Sequence, residues 1–250
     1  MNDTPPPLEH GSPAPADPGS NPAPTTPPST GGGGKWLLGC GLGCLGVVVV
    51  GVILVFVILN FSKNKINEWV LGYTSSQPVQ IEAPQLQQGE IDSAVTRFDS
   101  FSSALEAGTA SESLILSEDD INALLFHHPD FADAAGMTNV SIENDQLTSR
   151  VSIDLNSIEI PIDFVADAVR DKYFNGEVTL SIDMRAQRPA LFIEELSVAG
   201  RPLPQELMEA FRSENLLKEA QSDPELKKFF DKISEIKIEN NQLIVVPATP

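Results

Sequence analysis

Cysteine is nearly missing from this chain. Cys40 and Cys44 are the only two in 250 residues, and both lie in its most apolar stretch. The rest of the chain therefore has no disulfide to hold it and gives no redox clue to its compartment. Histidine is as scarce. His10 stands alone, while His127 and His128 are adjacent. Adjacent residues on a helix point about 100° apart, so this pair cannot share a metal as i, i+4 partners do. Asp130 and Asp133 are near, but no cysteine or further histidine completes a set. Neither a metal site nor a cofactor is expected, and helix-end histidines favoured by the helix dipole are the simpler reading.

Positive charge is also in short supply. Sixteen Lys and Arg face 35 Asp and Glu, for a net charge of −19. Beyond Phe61, 15 basic residues against 32 acidic ones leave −17. Nucleic acid and flat docking on anionic headgroups both require basic patches, so both are excluded as expectations. There is no G-x-S-x-G, P-loop, G-x-G-x-x-G or H-E-x-x-H. Carboxylates are plentiful enough for a glycosidase-like pair, yet on so acidic a chain solvation is their default role. An enzyme is not expected.

What the chain does have is one uninterrupted apolar run, Leu37 to Leu59, without a charge. Its length corresponds to about 34 Å of helix, against a hydrocarbon core of about 30 Å. Trp36 and Phe61 stand where interfacial aromatics belong, and Lys35, Lys63 and Lys65 bracket the ends. A cleaved signal peptide has a shorter apolar part and a small-residue cleavage site. Leu59-Asn60-Phe61-Ser62 is no such site. Leu37-Leu38-Gly39-Cys40 resembles a lipobox, but it opens the apolar region rather than closing it. The run is read as a single transmembrane helix. Within it, Gly39, Gly43 and Gly46 share a face. Such spacing suits a homodimer packed through the membrane helix, and it also suits the ordinary abundance of membrane glycine. For Cys40 and Cys44, buried thiols and palmitoylation are the two readings. The lysine count differs by one across the span, too little to orient it. A short Pro-rich tail ahead of an uncleaved anchor usually stays inside, so the N-terminus is placed in the cytoplasm and the domain outside.

Composition divides the chain. Residues 1–34, rich in Pro, Gly, Ser and Thr, are too poor in apolar side chains to offset the entropy of ordering and are read as a disordered tail. Residues 35–62 are the membrane span. Residues 63–88 are a juxtamembrane helix, with Ile66, Trp69, Val70 and Tyr73 in one stripe, followed by a linker over 75–88. Residues 89–250 have the size of one domain.

Apolar spacing predicts a first domain helix over Ile91–Leu105, with Ser102 interrupting its stripe. Ser117 and Asp120 form a capping-box pair that opens a second helix. The period then changes to two. Leu147, Val151, Ile153 and Leu155 alternate with polar residues, as do Val178, Leu180, Ile182 and Met184. Leu191 and Ile193 alternate and then shift register to Leu196 and Val198, so Glu194 and Glu195 mark a bulge. Asn144-Asp145 and Asn240-Asn241 read as tight turns, because Asn and Asp tolerate positive φ. The segments 140–147 and 236–243 agree at five of eight positions. A decayed duplication and convergence on good hairpin chemistry both explain that. Short helices fall at 164–172, after Pro204 and after Pro224. The expected fold is α+β: one antiparallel sheet of about six strands, in three hairpins, with helices on one face.

Two stretches carry a resemblance. Leu116-Ser117-Glu118-Asp119-Asp120-Ile121-Asn122-Ala123-Leu124-Leu125 resembles the L-[ST]-x-x-[DE]-[IL]-N-x-L-L signature of uncharacterised bacterial single-pass envelope proteins, the YpmS-like group among them. Gly200-Arg201-Pro202-Leu203-Pro204 resembles their G-x-P-L-P strand-to-helix turn. The resemblance implies a bacterial cell membrane and brings no activity with it. Asn122 is expected to be partly buried and bonded to the backbone of a neighbouring strand. Gly200 is expected at positive φ, aiming the Pro204 helix back at the sheet. The leading functional expectation is a non-enzymatic tethered domain, scaffold or accessory of an envelope protein assembly, with a protein partner. The alternative is a lipid- or amphiphile-binding module whose groove is lined by Phe211, Phe229 and Phe230.

Overall fold

A computed structural model of the chain describes residues 72–158, 163–185, 188–218 and 224–248. The tail, the apolar run with Gly39, Gly43 and Gly46, and the juxtamembrane residues before Gly72 lie outside the described residues. No helix among the described residues is long and apolar enough to cross a membrane.

Helix α1, Gln88–Ala107, buries Ile91, Ala94, Phe98, Ser102 and Leu105, the one-sided spacing of an amphipathic helix. Ser102 is taken inside, where its small side chain fits. The Gln87 N–H donates to the Glu90 carboxylate at 2.8 Å, and Gly108 at φ 69° ends the helix in the left-handed conformation that glycine adopts cheaply. Strand β1, Leu114–Leu116, leads into α2, Glu118–His127, and a 3-10 turn over Pro129–Ala134. Strands β2 (Thr138–Glu143) and β3 (Gln146–Asp154) form a hairpin closed by Asn144 and Asp145, both near φ 55°. After the short α3, Asp163–Ala168, come β4 (Tyr173–Arg185) and β5 (Arg188–Val198). Their register jumps from Thr179–Glu195 to Leu180–Ile193, leaving Glu194 unmatched. The apolar alternation shifts at that same place. Then follow β6 (Arg201–Pro202), α4 (Gln205–Ser213), α5 (Pro224–Phe230), β7 (Ile233–Glu239) and β8 (Gln242–Pro247).

Among the described residues the strands make two antiparallel sheets, not one. Five run in the order β2-β3-β4-β5-β6, and three in the order β1-β8-β7. The expectation of a single six-stranded sheet is corrected, although all three expected hairpins are present. The reason lies at the edges. The outer backbone of β2 is bonded by side chains of α2. On the far side, β6 has only two residues before Leu203 turns into the core. The β7-β8 hairpin finds no free edge there and pairs with β1, Leu116 opposite Leu243.

The larger core lies on one face of the five-stranded sheet. Ile153, Phe174, Leu180, Ile193 and Val198 meet Leu207, Met208 and Phe211 of α4. A second core joins Phe98 of α1, Leu124 and Leu125 of α2, Phe131, and Val140 and Ile142 of β2 with the small sheet. The other face of the large sheet carries Asn139, Ser141, Thr148, Arg150, Ser152, Asn175 and Glu177.

Candidate functional site

Helix α2 begins with a reciprocal cap. The Ser117 hydroxyl accepts the Asp120 N–H at 3.2 Å, and the Ser117 N–H donates to the Asp120 carboxylate at 2.9 Å. Asp120 also meets the Arg97 guanidinium, whose other nitrogen donates to the Ile115 carbonyl at 2.9 Å. That contact ties α1, β1 and α2 together at one corner.

Glu118 and Asn122 are four residues apart, so both project from one face of α2. That face lies along β2. Asn122 Nδ2 donates to the Val140 carbonyl at 2.7 Å, while its Oδ1 accepts the Val140 N–H at 2.8 Å. Glu118 accepts the Ile142 N–H at 2.9 Å. Asn122 is buried, at 7 % exposure. A side-chain amide carries one donor and one acceptor in the spacing of a peptide group, so it completes the ladder that β2 lacks on its outer side. Ser117, Asp120, Asn122 and Glu118 of the 116–125 stretch are thus spent on a helix cap and on closing a sheet edge.

The second signature is also local architecture. Ala199 (φ 51°) and Gly200 (φ 72°) make a two-residue turn between the paired Val198 and Arg201. The Leu203 N–H then donates to the Leu196 carbonyl at 3.1 Å, and the Pro204 carbonyl accepts from Leu207 and Met208. Pro202, on an edge strand, gives up no ladder bond that a neighbour needs.

Between the signature helix and the polar face of the large sheet lies a half-open cleft of about 450 Å³. Residues Glu82 to Leu86 form one wall, the start of α2 another, and Asn139, Ser141, Thr148, Arg150 and Glu177 the floor. Glu82, Glu118, Asp119 and Glu177 face a single cation, Arg150, which lies 3.4 Å from Glu177. The cleft therefore favours positive charge and hydrogen-bonding groups over acyl chains. Among the described residues no three His, Cys, Asp or Glu gather as a metal site would require.

Nothing in composition or periodicity signals this cleft, because its wall is the stretch that reads as linker. That stretch is pinned. Ser75 and Tyr173 exchange backbone bonds of 2.9 and 2.8 Å. The Val79 N–H donates to both Ser152 Oγ (3.1 Å) and Asn175 Oδ1 (3.2 Å), and Asn175 Nδ2 donates to the Gln77 carbonyl at 2.9 Å. The available signal was Ser152 and Asn175 themselves, polar residues that the strand alternation places side by side.

The aromatic residues proposed for a groove are divided. Phe211 belongs to the large core, whereas Phe229 packs on a separate cluster of Leu105, Ala110 and Ile233. Phe229 and Phe230 meet edge to face, with centroids 5.6 Å apart. His128, 4 % exposed, packs against the rings of Phe98 and Phe131 and begins the 3-10 turn, while His127 sits in the last turn of α2.

Compared with family models, curated proteins and solved structures, the chain matches none.

Proposed function

We propose that this chain is a non-enzymatic domain, tethered to a bacterial cell membrane by one helix over 35–62, that works by protein–protein contact within an envelope assembly. The N-terminus lies in the cytoplasm and the domain outside. The observation that carries the reading is the use of the motif side chains. Ser117, Glu118, Asp120 and Asn122 are each bonded within the fold, and a side chain committed to a buried backbone group is a poor acid, base or nucleophile. The cleft beside them is the contact face. Its polar floor and excess of carboxylates suit a polypeptide that presents basic side chains.

The test is a photo-crosslinking amino acid at Thr148, on the cleft floor, in the full chain in its native membrane. The expected result is a discrete protein adduct that Glu82→Lys with Glu177→Lys abolishes and that a probe at exposed Glu195 does not give. A lipid adduct at Thr148 would overturn the reading in favour of an amphiphile-binding module. Equal labelling at Thr148 and Glu195 would overturn the cleft as the contact face.

A further inference from the structure

Residues 75–86 join the anchor side of the chain to α1, and most of them lie exposed on the surface. From Ser76 to Gln85 only Ile81 is buried, at 8 % exposure, and Val79 is 43 % exposed. Leu86, at the end of the strap, packs partly buried against Ile91, Ala94 and Ala123, and the attachment before it is otherwise polar. Ser152 Oγ donates to Asn175 Oδ1 at 2.8 Å, and the two side chains together hold the Val79 N–H and the Gln77 carbonyl. Ser152 and Asn175 stand opposite one another on β3 and β4, 8 % and 9 % exposed. Both sit on the face turned away from the large core, bonded to this strap. Hydrogen bonds of this kind exchange for bonds to water at small net cost, whereas buried apolar area does not. Release of the strap therefore asks little of the two larger cores.

We propose that residues 75–86 are a releasable clasp. The strap leaves the polar face of the sheet while both cores stay folded, with Tyr73 still packed on the large core, and this removes the Glu82–Leu86 wall of the cleft. The docked state narrows the cleft, and the released state opens it. The use of the opened cleft as a contact face rests on the reading above, whereas the release itself does not. Asn175 and Ser152 recognise backbone groups rather than side chains, so re-docking needs only this stretch in extended form.

Amide hydrogen exchange of the full chain in detergent micelles tests this. The strap amides, Val79 above all, are expected to exchange at least about 100-fold faster than those of Val178–Leu180 in β4. Ser152→Ala removes the hydroxyl's bonds to Val79 and to Asn175 and is expected to accelerate Val79 by at least about tenfold, with Val178–Leu180 unchanged. Ile81→Gln loosens the strap without touching the sheet and should have the same local effect. Should Val79 be as protected as β4, or should either variant raise strap and β4 exchange together, the strap opens only with the whole domain and the clasp is wrong. Failure of the tethered reading would show separately, as a full chain that does not float with phospholipid vesicles, and would leave the exchange result standing.

Discussion

Asp145 and Asn241, 96 residues apart, hold each other across two hairpin tips. The Asp145 N–H donates to Asn241 Oδ1 at 3.0 Å, and the Asn241 N–H donates to Asp145 Oδ1 at 2.8 Å. The two residues occupy the same place in look-alike hairpins. Ile142 pairs with Leu147 in one, and Ile238 with Leu243 in the other. The third strand keeps the correspondence, since Leu147 faces Leu180 and Leu243 faces Leu116. The small sheet thus repeats the pairing of β2-β3-β4 at these positions, but its third strand precedes the hairpin in the chain whereas β4 follows, so only the hairpins themselves correspond in order.

Asn241→Gly keeps the positive φ accessible but removes the acceptor for Asp145. A loss of about 0.5–1.5 kcal/mol is expected, read from the urea midpoint. Asp145→Asn retains both an acceptor and tolerance of positive φ, and should leave stability unchanged. Equal losses in the two variants would mean that the Asp145 charge, not the reciprocal geometry, holds the tips.

The elements that were legible in the sequence are those whose cause is local. Asn144-Asp145 and Asn240-Asn241 announce their turns through a backbone preference, and Ser117 with Asp120 announces a helix start through chemistry three residues apart. The bulge at Glu194 shows as a shift of alternation. Pairing between distant strands leaves no such mark. Leu114–Leu116 is three residues long, and its partner β8 lies about 130 residues on, so neither the strand nor the two-sheet arrangement follows from periodicity. The strap was hidden for a related reason. Its anchors, Ser152 and Asn175, occupy the polar face, where alternation alone predicts water. The three phenylalanines look equivalent in sequence, but α4 and α5 deliver Phe211 and Phe229 to different clusters.

Asn122 is the single side chain on which the β2 edge most depends. Asn122→Ala leaves the Val140 N–H and carbonyl buried without partners, so a loss of about 1–3 kcal/mol is expected. Asn122→Asp keeps the size but sets a carboxylate oxygen against the Val140 carbonyl, and should cost at least as much at neutral pH. Thermal unfolding of the full chain checks both. An unchanged melting temperature in the alanine variant would mean that water satisfies the edge instead.

Asp231 gives a pH dependence with a definite sign. The Lys227 ammonium donates to its carboxylate at 2.6 Å and Arg188 lies 3.6 Å away, which together hold the carboxyl below the ordinary aspartate range. A depressed value in the folded state stabilises above the unfolded value and is lost as pH falls through the folded one. The stability gap between wild type and Asp231→Asn should therefore be present but small at neutral pH, because all three groups are exposed and salt screens them. It should close below about pH 4, the ordinary aspartate range. Urea midpoints between neutral pH and pH 3 measure it. A gap that widens on acidification would reverse the sign and remove the ion pair from the account.

His128 is buried with two different bonds, and their directions assign its proton. Nδ1 lies 3.1 Å from the Asp130 backbone nitrogen, which can only donate, so Nδ1 is the acceptor and carries no hydrogen. The ring proton then sits on Nε2 and is given to Asp99 Oδ1, 3.2 Å away. Long-range nitrogen–proton correlation spectra should show the Nε2-protonated neutral tautomer. Mutation separates the neutral from the charged ring. Asp99→Ala orphans a buried N–H and should cost about 1–3 kcal/mol. Asp99→Asn still offers a carbonyl oxygen, which is all that a neutral ring requires, and should cost far less. A loss as large in Asp99→Asn as in Asp99→Ala would mean that His128 is held as a cation by the Asp99 charge, and the Asp130 N–H would then need another acceptor to begin its turn.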